Sequence, residues 1–190
     1  MRKGFTLIEL LIVIGILAVL ATITVLALNP AQLFAQGRDS QRIADLSTTY
    51  KALNVYMGTV RVPNLELGAG FTCGTNYTAS VDGTTSPFTS STTDVPALSE
   101  VFAIDGTGWV PVNLTLTAGA SPLSTLPRDP INTTDYFYAY ACDNTNKTVE
   151  LNAIMESNRY ANSGQDDVES TDGGDDNDVY EVGSDPDLNL

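Results

Sequence analysis

Apolar residues fill the chain from Phe5 to Leu28, 24 positions interrupted only by Thr6, Glu9, Gly15, Thr22 and Thr24. A helix rising about 1.5 Å per residue would carry this run roughly 36 Å, enough to cross a hydrocarbon core with some tilt. Beyond it the pattern changes to a helical period. Ile43, Leu46, Tyr50, Leu53 and Met57 recur at spacings of three and four, an apolar stripe on one face. Arg38, Asp39, Arg42, Asp45 and Lys51 read as its polar neighbours. The stripe predicts a helix packed on a sheet; a self-associating coiled coil is the alternative, with few apolar positions to work with. Pro30 removes one backbone hydrogen bond and disfavours helical geometry at Asn29, so a perturbation is expected there. Gly58 is the expected terminator.

After Gly58 the helical period is lost. Gly, Thr, Ser and Asn crowd the stretch to about Asp94, which reads as irregular connection. Four runs rich in aromatic and β-branched residues then predict strands: Trp109 to Thr117, Asp135 to Cys142, Lys147 to Glu156 and Asp178 to Val182. "DNTN" between the middle two suits a hairpin turn. Tyr136, Tyr138 and Tyr140 alternate around Phe137, which predicts one buried face and one partly exposed aromatic face. That face would pack on the sheet's surroundings or, less commonly, bind a ligand. Pro127 and Pro130 bracket Arg128-Asp129 and stiffen the approach to the second run.

The expectation is therefore an α+β chain. A long N-terminal α-helix, with a membrane-spanning half (5–28) and an amphipathic half (29–58), packs on a small antiparallel β-sheet head (59–190). Residues 1–4 precede it, and Arg2 and Lys3 keep them cytoplasmic by the positive-inside rule and send the rest outward. A cleaved secretory signal is the competing reading, but the apolar run is long for one and no small-x-small site closes it.

Charge narrows the function. The net charge is −14 and there is no histidine, so nucleic acid is a poor partner and the usual general base and metal ligand are missing. No nucleophile elbow, phosphate-binding glycine loop or Cys/His cluster is present, which leaves no basis for an enzyme. Cys73 and Cys142 lie in the polar part, where they either pair in an oxidising compartment or stay as buried thiols. Closing so long a loop would stabilise the fold by roughly 4 kcal/mol on the chain-entropy model. Four Asn-x-Ser/Thr triplets, at Asn76, Asn113, Asn132 and Asn146, fit chance in a Thr- and Asn-rich chain.

Glu9 is the discordant residue. A carboxylate on a lone membrane helix costs a few kcal/mol unless it is paired or reaches the interface. One partner is a free α-amino group on a neighbouring copy, created by a cut after Gly4. Lys3-Gly4-Phe5-Thr6-Leu7-Ile8-Glu9-Leu10 resembles the processing and assembly signature of type IV pilins and the related pseudopilins of type II secretion. The resemblance implies a pilin fold, cleavage by a prepilin peptidase between Gly4 and Phe5, and N-methylation of Phe5. It also implies that Glu9 pairs with a neighbour's terminal amine as the filament grows. "LSTLPRDPIN" before "YFYAYA" is similar to a pseudopilin turn that leads into the sheet.

The segment from Asp166 to Asp187 holds ten acidic residues and no basic one. Asp172, Asp175, Asp176 and Asp178 beside two glycines would suit Ca²⁺, which takes six to eight oxygens. Major pseudopilins, which this stretch is similar to in composition and position, carry calcium in a late Gly- and Asp-rich loop. A solvated acidic loop fits equally. The implied whole is a homo-oligomeric helical filament, held in the cytoplasmic membrane and then assembled outside by a separate platform and ATPase. A surface pilus (adhesion, twitching, DNA uptake) is the first reading and a secretion pseudopilus the second. A membrane-anchored binding module that never polymerises is the third.

Overall fold

The structure is a computed structural model that describes residues 4–67, 70–95 and 100–190. The basic leader residues Arg2 and Lys3, and part of the connection after Gly58, lie outside the described residues. Helix α1 runs Leu7–Leu28 and α2 Pro30–Thr59. Strands β1 (Asn76–Ala79), β2 (Thr93–Asp94), β3 (Tyr138–Asp143), β4 (Thr148–Ala153) and β5 (Tyr180–Gly183) form one sheet in the order β2-β1-β3-β4-β5. An α+β arrangement with one long N-terminal helical stretch and a small sheet is thus what the chain adopts.

The two helices meet where proline dictates. Asn29 takes a left-handed conformation with φ of 39°, and Pro30 sits in the first turn of α2, where its missing N–H leaves no bond unmade. α2 lays a seam of Leu46, Ala52, Leu53 and Tyr56 on the sheet, flanked by half-buried Tyr50 and Met57. The seam is rotated from the expected stripe. Asp39 and Arg42, read as polar neighbours, are fully buried on it. The reason is a partner that spacing does not show: Asp129, far along the chain, neutralises Arg42.

The sheet is mixed, which corrects the all-antiparallel expectation. β1 pairs parallel with the two-residue β2, while β1-β3, β3-β4 and β4-β5 are antiparallel. Tyr138, Tyr140, Cys142, Val149 and Leu151 face α2. Phe137, Ala139 and Ala141 face the other way, under Tyr77, Phe88 and Leu190. Both faces are therefore covered, and the partly exposed aromatic face is not found: Tyr138 and Tyr140 are wholly buried. Burial of Val149, Leu151 and Phe137 contributes about 1.5–3 kcal/mol each.

The Trp109–Thr117 run is also not a strand. Pro111 cannot donate to a ladder, and Asn113 caps a 3₁₀ turn at Leu114–Leu116, with one isolated bridge to Asp105. The run packs as a loop: Trp109, Val110, Val112 and Leu114 join the core under α2, and the Trp109 indole N–H donates to the Pro127 carbonyl at 3.0 Å.

Candidate functional site

The site begins at the first turn of α1. Residues 4–6 are non-helical and exposed, and Phe5 is 86% exposed. Thr6 is the N-cap. The Glu9 amide donates to Thr6 Oγ1 at 3.3 Å, and Glu9 Oε2 accepts from the Thr6 amide at 2.9 Å and its hydroxyl at 2.8 Å. This reciprocal capping box uses donors that the helix start leaves orphaned, and places negative charge at the positive end of the helix dipole. Thr6 was not singled out from the sequence, although a Thr-x-x-Glu spacing ahead of an apolar run is the signal for it.

Beyond that turn every described side chain of α1 is exposed. Leu11, Ile12, Gly15, Ile16, Val19 and Leu20 line a shallow apolar groove, with nothing of the chain itself beside the missing Cβ of Gly15. The helix is long and apolar enough to cross a membrane. A bare apolar helix with one carboxylate near its start is the geometry that any function must explain.

Residues 1–25 match the prokaryotic N-terminal methylation motif. The chain carries the leader signature of type IV pilins and pseudopilins. No curated protein and no solved structure matches it. The motif implies processing by a prepilin peptidase and assembly into a pilus-type polymer, and with the apolar helix it fits membrane anchoring before assembly.

α2 is joined to the head through a cluster of buried charges. Arg42 donates through Nε and Nη2 to Asp129 at 2.6 and 3.1 Å, and through Nη1 to Asp39 at 2.7 Å. Asp39 also accepts from the backbone N–H groups of Glu156 and Ser157 at 2.9 and 2.8 Å. Asp129 accepts from those of Ile131 and Asn132 at 2.8 and 3.0 Å. Burial disfavours the Arg42 charge, but the bonds to Asp129 and Asp39 outweigh it and hold the guanidinium above its ordinary value. Arg38 pairs with Glu156, whose carboxyl is held down mainly by that bond. Asp129 belongs to the Leu126–Pro130 turn, so this turn reaches the helix through its carboxylate.

Cys73 and Cys142 form a disulfide with Cα atoms 4.8 Å apart, tying the connection after α2 to the end of β3.

The four loop aspartates do not converge. Asp172 accepts from the Gly174 and Glu181 amides, Asp175 from the Thr89 hydroxyl, Asp176 from the Asp178 amide and Asp178 from Asn162 Nδ2. Among the described residues no group of three acidic, His or Cys side chains is placed to hold a metal.

Proposed function

We propose that this chain is a structural subunit of a type IV pilus filament. After cleavage between Gly4 and Phe5 and N-methylation of Phe5, α1 leaves the membrane and packs against α1 of neighbouring copies, with the heads outside. The observation that carries the reading is Glu9. It is the one charged residue between Phe5 and Leu28, on a helix whose described side chains are exposed, and among the described residues its side chain bonds only to Thr6. A neighbour's new α-amino group supplies the missing positive charge, and neighbouring helices supply the missing apolar cover. An assembly platform and ATPase drive the growth from outside this chain.

A pseudopilus subunit is the second reading, favoured by the Leu-Pro-Arg-Asp-Pro turn at 126–130 and the late acidic loop. The bulky Thr/Ser-rich middle favours the pilus. The deciding experiment is the mass of the mature protein together with electron microscopy of sheared surface fibres. Loss of Met1 to Gly4, an added methyl and fibres made mainly of this chain are expected. An intact N-terminus on a protein that stays single in the membrane overturns the proposal in favour of an anchored module.

A further inference from the structure

The two ends of the head differ in charge. The stretch after β4 lies along the first turns of α2: Gln32 Oε1 accepts from the Asn158 amide at 3.0 Å, and Asp39 from the Glu156 and Ser157 amides. Asp166 and Glu169 tie the acidic segment to that stretch, Asp166 through Arg159 and Glu169 through the Met155 and Asn162 amides. β5 starts opposite the end of β4, so residues 172–178, just before β5, sit at this end too. Arg38, Arg42 and Arg159 beside them each pair with a carboxylate. Among the described residues Asp167, Asp172, Asp175, Asp176 and Asp178 have no cation partner, so the end of the head next to α1 is negative.

The other end, where α2 finishes, carries the opposite. Lys51 and Val55 lie one turn apart on the exposed face of α2, and Arg61 and Val62 follow its last turn, also exposed. Leu116 is brought to the same end by the Ala118 amide, which donates to Thr59 Oγ1 at 3.4 Å. Val62 is 79% exposed and Leu116 60%, an apolar patch beside two cations. Among the described residues neither Lys51 nor Arg61 pairs with a carboxylate. The acids nearby are turned inward: Glu66 accepts from Asn144 Nδ2 at 2.9 Å and the Cys73 amide at 3.1 Å, and Asp143 from the Thr145 and Asn146 amides at 2.7 and 3.2 Å. Exposed apolar side chains rimmed by charge mark a contact surface.

We propose that the patch of Lys51, Val55, Arg61, Val62 and Leu116 docks the acidic end of another copy's head, so that heads in the filament meet end to end. The proposal rests on the filament reading above. The partner follows from charge: the chain's net charge is −14, and its largest acidic surface is the one that two unpaired cations at the opposite end would match. One copy cannot satisfy both ends by itself. About 22 Å of helix separates Ser40 from Val55 at 1.5 Å per residue, more than twice the screening length of about 8 Å at physiological salt.

Two different faces that fit each other make a contact that repeats from copy to copy and does not close on a pair. Like ends repel, acid against acid and cation against cation, so the charges also set the order in which heads stack. Val55, Val62 and Leu116 supply the apolar centre of the contact, and Lys51 and Arg61 its rim.

The test is zero-length carbodiimide cross-linking of sheared wild-type fibres, followed by peptide mass spectrometry. Beyond Gly4 the chain has two lysines, Lys51 and Lys147, so the links are few and assignable. Amide links from Lys51 to aspartates of the 166–178 segment are expected in dimers and larger species and not in the monomer. Lys51→Glu/Arg61→Glu changes two exposed side chains, so the head should fold and the fibre count should drop severalfold. Should that variant misfold, the wild-type cross-link decides alone. Lys51 linked only within its own chain, or to a peptide of another protein, overturns the proposal, as do undiminished fibres from the folded double variant. In each of these cases wild-type fibres still form and the filament reading stands. Absence of wild-type fibres of this chain overturns both.

Discussion

Arg42 and Asp129, 87 residues apart in the chain, form a two-pronged ion pair from which water is wholly excluded. Each charge has further partners, Arg42 in Asp39 and the Tyr136 ring 5.0 Å away, and Asp129 in two backbone amides. Such a pair fixes how α2 lies on the head more than it adds net stability, because desolvation offsets most of its attraction.

Asp129→Ala would leave a buried guanidinium half-paired. The expected cost is about 3–5 kcal/mol, read as a fall in the head's denaturant midpoint. In a double-mutant cycle with Arg42→Ala the two costs should fall well short of adding. Additive costs would show that the pair is not the joint described here.

Reduction of Cys73–Cys142 releases a loop with a sequence separation of 69. On the chain-entropy model about 4 kcal/mol of stability should be lost. Denaturation with and without reductant, beside a Cys73→Ser/Cys142→Ser double variant, measures it. Identical curves would show that the core under α2 holds this connection unaided.

Glu169 accepts from the Met155 and Asn162 amides at 2.8 Å each, closing the 155–169 loop beneath α2. Burial, working against those two bonds, pushes its carboxyl up from 4.5 to about 7. A raised folded value means that its stabilising contribution is full below about pH 4.5 and is lost as pH rises through about 7. Thermal unfolding midpoints should therefore fall from pH 5 to pH 8 by more in the wild type than in Glu169→Gln. The variant starts lower, since an amide accepts from only one of the two N–H groups. Parallel profiles would count against the assignment.

These interactions also mark where sequence reading stops. The two helices, the break at Asn29-Pro30, the β3-β4 hairpin around "DNTN" and the last strand follow from local period and turn chemistry, which a single chain displays. Arg42 read as solvent-facing because charge on a stripe edge ordinarily is, and Asp129 lies too far away to be matched by spacing. In "TVELNA" Glu150 and Asn152 alternate with Val149 and Leu151, and nothing in that spacing tells whether their face is covered. Only the folded chain shows Phe88 and Leu190 covering that face. β1, four residues in a Thr- and Gly-rich stretch, is too short for a period to register. Glu9 stood out for the opposite reason: an uninterrupted apolar run gives one charge no disguise.

The last prediction concerns that charge. Among the described residues of one chain the Glu9 side chain bonds only to Thr6, both at the N-terminal turn, while the head's core begins at Ala35 on α2. Glu9→Ala should leave the head's stability unchanged and membrane insertion intact, and abolish or strongly reduce filaments counted by electron microscopy. Thr6→Ala separates the two uses of the carboxylate. It removes the cap, worth about 1 kcal/mol to the helix start, but leaves Glu9 available to a neighbouring chain, so filaments should persist. If both variants lose filaments equally, the helix cap and not a charge between subunits is what assembly requires. If Glu9→Ala assembles normally, Glu9 has no role between subunits.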